Sequence, residues 1–192
     1  MMRWLILPVV FTVALTLNCS GPTPSLDSAD ADLRRLEIIN LSNSSDAAKH
    51  FNDFVVFLEK DSDYLVRAQA ALALGKLKNT QAVSVLLKAL NDSSQWVRVD
   101  VVNALGEMKD PTTVPPLNKA LVEDISPDVR RAAARILGKI GGQESIDVFI
   151  KALDDRDHGV AEISYQSLCQ ITKQSIPKNS KEWQKWRSGA SR

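Results

Sequence analysis

The chain of 192 residues is poor in aromatic side chains and cysteine and has almost no net charge. Aromatic residues make up 6% of it, whereas hydrophobic residues, chiefly Leu, Val and Ala, make up 44%, a balance that favours helices over sheet. Two cysteines are too few for a disulfide-rich secreted domain. A formal charge of +1 gives no general attraction to phosphate backbones, so we expect no nucleic-acid partner.

The sequence also lacks recognised catalytic motifs. It contains no Gly-rich phosphate loop, no nucleophile elbow and no Cys-x-x-Cys pair. Its two histidines, His50 and His158, have no carboxylate or cysteine partner at ligand spacing, so no metal site is predicted. We therefore expect neither a cofactor nor an enzymatic activity.

The N-terminus has the pattern of an export signal. Arg3 supplies a positive charge, and residues 4–17 form an apolar run shorter than the roughly 20 residues that span a bilayer. The run ends close to Cys19 and resembles the lipobox of bacterial lipoproteins, in which the cysteine is lipidated and becomes the new N-terminus. Thr16 and Asn18 stand where that motif usually has Leu and a small residue.

This resemblance implies a signal peptide over residues 1–18 and a lipid on Cys19, followed by a flexible tether over residues 19–30. The protein would then be exported and held at a bacterial membrane, facing the periplasm or the cell surface. Plain secretion after signal cleavage is the alternative. The other cysteine, Cys169, is expected to be a buried free thiol.

An internal repeat with steps of 31 or 32 residues fills the rest of the chain. A Val-Arg pair marks three units, at residues 66–67, 97–98 and 129–130, and Val160-Ala161 marks a fourth. Two further columns keep the same steps, one of leucine and one of glycine or cysteine: Leu74, Leu105, Leu137, Leu168 and Gly75, Gly106, Gly138, Cys169. Apolar spacing predicts two helices in each unit, and the first helix has a predicted N-cap at Asp63, Ser94, Ser126 or Asp157. Because one helix pair cannot bury its apolar face alone, consecutive pairs must stack into an α-solenoid.

The repeat resembles the bacterial HEAT-like repeats first known from phycobilisome lyases. The resemblance covers about residues 61–174 and is carried by the pattern Asp61, Val66-Arg67, Ala70-Ala71, Leu74-Gly75-Lys76-Leu77, Val83, Leu86-Leu87-Lys88-Ala89-Leu90. It implies an all-α, right-handed α-solenoid of HEAT-like helix pairs, which we assign to residues 31–175, with a degenerate first pair at residues 33–60.

Residues 176–192 are predicted to form a C-terminal cap. Asn179 and Glu182 have the spacing of a capping box, and Trp183 and Trp186 would share one helix face. We expect this segment to cover the last repeat.

The most regular charges are an Arg column and an acidic column, namely Arg67, Arg98, Arg130 and Asp61, Asp92, Glu123, Asp155. An active site needs one constellation of residues, whereas these charges recur in every unit. We therefore predict structural ion pairs that connect the repeats.

Two features are candidate partner-binding positions. Lys88, Lys119 and Lys151 lie in register on the second helices, which usually line the concave side of such solenoids. The alternative is that these lysines only favour the helix dipole and solubility. Trp96 occupies a column that the fold does not require to be aromatic, so it is either a local packing residue or an interface anchor.

The sequence thus predicts a monomeric, non-enzymatic scaffold or adaptor that binds a protein partner at a bacterial membrane. The alternative is an accessory domain or subunit of an enzyme, with a lyase-like groove for a small cofactor. A deep apolar pocket would favour the enzyme subunit, and a shallow polar groove would favour the adaptor.

Overall fold

The computed structural model describes residues 25–189, and all the regular secondary structure in that part of the chain is helical. Ten α-helices form five pairs. The first helices are α1 Ala31–Asn43, α3 Tyr64–Leu77, α5 Gln95–Met108, α7 Pro127–Ile140 and α9 His158–Thr172. The second helices are α2 Phe51–Lys60, α4 Ala82–Ala89, α6 Val114–Glu123, α8 Ile146–Ala152 and α10 Ser180–Arg187.

Consecutive first helices pack side by side in one layer, and the shorter second helices form the other layer. Short 3₁₀ turns precede three of the second helices, at Ala47–His50, Pro111–Thr113 and Gly142–Ser145. The all-helical architecture is the α-solenoid that the repeat predicts. No helix within residues 25–189 has the length and hydropathy needed to cross a bilayer.

The N-caps explain where the first helices begin. Asp63, Ser126 and Asp157 each accept a hydrogen bond from a backbone N–H in the first turn, as predicted. Ser94 is the N-cap of α5, as predicted, but its hydroxyl makes no capping hydrogen bond.

The glycine column allows the first helices to approach each other closely. A Cβ atom built on Gly75 would lie 2.6 Å from the Cα of Ala104 in the next first helix. A backbone contact of this length leaves no room for a side chain. Gly75 is therefore needed for the spacing between α3 and α5.

The core runs continuously between the two layers. It is built from the repeated apolar columns, and its largest fully buried side chains include Phe54, Leu86, Leu117, Phe149 and Trp183. These five residues occupy equivalent places in the five second helices. A single core thus connects all the pairs.

The C-terminal helix α10 packs beside α8 and serves as the second helix of the fifth pair. Trp183 is fully buried, and its ring meets that of Trp186 edge to face, with centroids 5.6 Å apart. Asn179 caps the helix by accepting from the N–H groups of Lys181 and Glu182. The reciprocal bond of the predicted capping box is not made, because the Asn179 N–H donates to the carbonyl of Pro177.

Cys169 lies on α9 as a free thiol and is partly exposed rather than fully buried as predicted. It stands where three earlier units have glycine. Cys19 lies outside the described residues, as does the predicted signal peptide.

Candidate protein-binding face

A ladder of buried ion pairs connects the five helix pairs. In four of them an Arg on the first helix binds an Asp in the turn that leads to the next pair: Arg34–Asp61, Arg67–Asp92, Arg98–Asp124 and Arg130–Asp155. Both carboxylate oxygens are engaged, with Nε–Oδ2 distances of 2.7–2.9 Å and Nη2–Oδ1 distances of 2.8–2.9 Å. The bidentate geometry is the strongest form of this interaction.

Three of these four aspartates bind both neighbouring units. Asp92 illustrates the pattern: its side chain accepts from Arg67, and its backbone carbonyl accepts from Nη1 of Arg98 at 2.8 Å. Its Oδ1 also accepts from the N–H of Ser94 at 2.8 Å, which fixes the turn. Asp61, Asp92 and Asp124 thus each connect two repeats, because the side chain binds one Arg and the backbone carbonyl binds the next.

Two members of the ladder differ from the sequence-based prediction. In the third repeat, Asp124 takes the place assigned to Glu123, because the extra residue of that repeat lies before the acid rather than after it. Glu123 is exposed and lies 3.8 Å from Lys119. Arg34 was not predicted, although it stands 33 positions before Arg67 within the degenerate first pair.

The ladder ends within the described residues. The backbone carbonyl of Ser28 takes the place of an aspartate carbonyl and accepts from Nη1 of Arg34 at 2.9 Å. Ala161 stands where the fifth pair would have an Arg. Every Arg and Asp side chain of the ladder therefore has an ion-pair partner within residues 25–189.

The ladder also shifts the acidity of its members. Burial alone would raise the pKa of Asp61, Asp92 and Asp155, but hydrogen bonds from the guanidinium groups and from backbone N–H groups outweigh it. The pKa of each of these carboxyls therefore lies below its ordinary value. Carboxylates held ionised by permanent cations are suited to structure rather than to proton transfer.

The predicted lysines lie together on the outer surface of the second-helix layer. Lys88, Lys119 and Lys151 are exposed on α4, α6 and α8, each two residues after a fully buried core residue. Lys185 likewise stands two residues after the buried Trp183 on α10 and adds a fourth lysine. The sequence analysis missed it because the loop before α10 changes the step between repeats. We call these four residues the lysine column.

Two acidic residues near the lysine column are already paired. Asp147 on α8 accepts from Nε of Arg187 on α10 at 3.0 Å, so its charge is paired with a cation of the neighbouring helix. Glu123 is placed against Lys119. This leaves Lys88, Lys151 and Lys185 without an ion-pair partner among residues 25–189.

Open clefts lie between consecutive second helices. The cleft between α4 and α6 has a volume of about 490 Å³, and its lining includes Leu87, Leu90, Lys119 and Ile125 together with the Arg98–Asp124 ion pair. A second cleft of about 390 Å³ lies between α2 and α4, with Lys88 on its rim. Both clefts mix apolar and charged groups, and neither is a deep apolar pocket.

Trp96 is the second residue of α5, and 52% of it is exposed. It lies near the turn that joins α4 to α5 and lines neither of the two clefts beside Lys88 and Lys119. The structure therefore does not bring the predicted partner-binding residues into one site.

The two histidines lie apart. His50 contacts the carboxylate of Asp53 at 2.9 Å, a partner three residues away that the sequence analysis had overlooked. His158 is exposed at the start of α9. Residues 25–189 contain no group of three or more His, Cys, Asp or Glu side chains arranged to hold a metal ion.

Comparison with known proteins supports the architecture. Among solved structures, the CpcE–CpcF complex of phycocyanin lyase from Nostoc sp. PCC7120 is similar, with 24% identity over 81% of this chain and 68% of that chain and a TM-score of 0.64. A designed armadillo repeat protein in complex with the peptide (KR)4 is similar at 19% identity over 86% of this chain and 85% of that chain, with a TM-score of 0.58. No curated protein matches the sequence.

A family model described as HEAT repeats matches residues 23–98 and 83–169. The two matches together extend over most of the chain and include the first four helix pairs. The chain belongs to the HEAT-repeat family.

Proposed function

We propose that this protein is a non-enzymatic scaffold that binds a protein partner along the lysine column. The observation that carries the proposal is the alignment of four exposed lysines on successive second helices. A rigid stack of repeats presents such a surface without any catalytic group. We expect the scaffold to act as a monomer.

The spacing of the lysine column suggests the chemistry of the partner. Neighbouring packed helices lie about 8–10 Å apart, which is close to the Debye length of about 8 Å at physiological salt, so the fields of adjacent lysines partly reinforce each other. An extended chain rises about 3.3 Å per residue, so three residues cover one helix spacing. The ligand that fits best is an extended segment with an acidic side chain at about every third residue.

The alternative, an enzyme subunit with a groove for a small cofactor, is not favoured. The floor of the α4–α6 cleft is formed partly by the Arg98–Asp124 ion pair, whose groups are already bound to each other. A cofactor would need polar groups that are free to bind it.

Charge reversal tests the proposal. We expect the triple variant Lys88→Glu, Lys119→Glu, Lys151→Glu to stay folded, because each exposed substitution changes stability by about 0.5 kcal/mol or less. Partner recovery in affinity purification from native membranes, followed by mass spectrometry, should fall strongly. With the wild-type protein, recovery should decline as salt rises.

The matched control is Lys49→Glu, Lys76→Glu, Lys139→Glu, which makes the same change in charge at exposed positions outside the lysine column. This control should recover the partner as the wild type does. If the column variant folds and captures the same partners as the control, the lysines only provide solubility.

We further propose that a lipid on Cys19 holds this scaffold at a bacterial membrane. The support is the apolar run that ends near Cys19 in the sequence. A multiply acylated cysteine would hold the protein firmly, whereas one acyl chain binds only marginally.

The anchor proposal predicts that Cys19→Ala abolishes incorporation of a fatty-acid analogue and changes the mass of the processed protein. Metabolic labelling followed by gel analysis measures this directly, and Cys169→Ala is the control that should keep the label. Label that persists in Cys19→Ala, or that is absent from the wild type, contradicts the proposal.

A further inference from the structure

An apolar row lies along the edge of the solenoid at which each unit begins. Of the seven large hydrophobic side chains exposed within residues 25–189, four lie here, namely Tyr64, Leu65, Trp96 and Ile125. Ile125 is 80% exposed, which makes it the most exposed of the seven. We call these four residues the apolar row.

The four residues belong to consecutive units. Tyr64 and Leu65 open α3, Trp96 is the second residue of α5, and Ile125 directly precedes the N-cap of α7. The hydroxyl of Ser126 donates to the side-chain oxygen of Gln95 at 2.8 Å, which holds the starts of α5 and α7 side by side. The row therefore follows the stack, with about 8–10 Å from one helix to the next.

The fold does not require apolar side chains at these places. Ser62, Ser93 and Arg156 occupy the position of Ile125 in other units, and Asp128 and Gly159 occupy the position of Trp96. These units form the same helix pairs with polar or small residues there. Contiguous exposed apolar side chains that packing does not demand indicate a contact surface.

The N-terminal part of the chain leaves the fold at this same edge. Nη1 of Arg34 donates to the carbonyl of Ser28 at 2.9 Å, while Nε and Nη2 of the same guanidinium bind Asp61. Asp61 lies only three residues before Tyr64, so the described chain begins close to the apolar row. The six steps along the chain from Cys19 to Ser25 span at most about 22 Å even when fully extended.

We propose that the apolar row rests in the interfacial region of the bilayer next to the anchor. This inference depends on the lipid anchor on Cys19 proposed above. Tyr and Trp favour the membrane–water interface, where the ring is apolar and its polar atom stays hydrated. A short tether makes the contact intramolecular, so even weak interfacial binding suffices.

The charges along this edge are of both signs. Lys60 and Arg156 are exposed here, as are Asp27, Asp30 and Asp154, and Lys119 and Glu123 line the same cleft as Ile125. The contact is therefore apolar rather than electrostatic, and we expect it to be insensitive to salt, unlike partner binding at the lysine column. The first helices would run away from the bilayer.

The test measures the depth of Trp96. The full chain is reconstituted into phosphatidylcholine vesicles whose acyl chains carry bromine either near the headgroup or near the chain end. The emission of Trp96 is the difference between the wild type and Trp96→Phe, which removes the contribution of the other tryptophans. We expect a loss of this emission with shallow bromine, a smaller loss with deep bromine, and no change with added salt.

Two further variants sharpen the result. Ile125→Ser introduces the residue found at that position in two other units and should reduce the shallow quenching of Trp96. Val56→Ser removes an exposed aliphatic side chain of α2 outside the row and should leave the quenching unchanged. If Trp96 emission is equal in brominated and unbrominated vesicles, the membrane contact of the row is refuted.

The anchor is judged separately by the mass of the N-terminal peptide from the same samples. An unmodified Cys19 overturns the anchor, while the quenching still decides whether the row contacts lipid. A chain that does not float with the vesicles overturns both proposals.

Discussion

Asp124→Ala is expected to destabilise the protein by about 3–5 kcal/mol, because it leaves the charge of Arg98 without its partner inside the stack. The side chains of Arg98 and Asp124 are only 8% and 10% exposed, so water can replace the lost carboxylate only by opening the structure. The substitution also removes the acceptor for the Ser126 N–H, which fixes the turn before α7. Urea unfolding followed by circular dichroism measures the loss.

Glu123→Ala is the matched control. Glu123 is the neighbouring acid, but its side chain is 62% exposed and meets Lys119 only at 3.8 Å. An exposed pair of this kind contributes roughly 0–1 kcal/mol. If the two variants lose similar free energies of unfolding, Asp124 contributes no more to stability than Glu123. That result would contradict the structural role assigned to Asp124.

Trp183→Ala should cost about 3–5 kcal/mol, the usual effect of removing a buried aromatic side chain. Trp183 is 0% exposed and belongs to the continuous core. Because α10 is the last helix of the stack, we expect the loss to appear first as fraying of α10 and exposure of its contacts on α8. Chemical unfolding gives the total effect, and hydrogen exchange locates it.

Trp96→Ala is the comparison for this variant. It removes the same side chain at a position that is 52% exposed, so the expected loss is much smaller. If the two variants unfold at the same urea concentration, or if α10 keeps its protection in Trp183→Ala, α10 is not the second helix of the fifth pair.

The helix pairs could be predicted from the sequence because the repeat places the same apolar and capping residues at the same steps. Val66, Gly75 and Leu86 have equivalents one and two units later, so coincidence is excluded and the pairs follow from periodicity alone. The spacing of Arg and acid columns likewise indicated ion pairs between units. The structure contains these pairs at the predicted arginines.

The errors have a local physical cause. An extra residue in the third repeat can lie on either side of the acid, and only the geometry of the Arg98 guanidinium identifies Asp124 as its partner. Arg34 and Lys185 lie in the two terminal pairs, where a changed loop length breaks the step that revealed the other columns. Repeat counting therefore fails at the ends of the stack and next to an inserted residue.

The apolar row could not be predicted from the sequence for a different reason. Leu65 and Trp96 share a column, but Tyr64 and Ile125 occupy other positions within their units, so no single column contains the row. They come together only because the starts of the first helices meet at one edge. Exposure, which depends on packing between units, distinguishes them from the core.

Site-specific photo-crosslinking in the living cell tests the central claim, that a protein partner binds the second-helix layer, most directly. A photoreactive residue is placed at Ser84 or Pro115, which are exposed on second helices beside the lysine column, or at Glu107 or Lys139, which are exposed on first helices. We predict one partner, crosslinked from positions 84 and 115 and not from positions 107 and 139. Capture of that partner from the first helices and not from the second would contradict the claim.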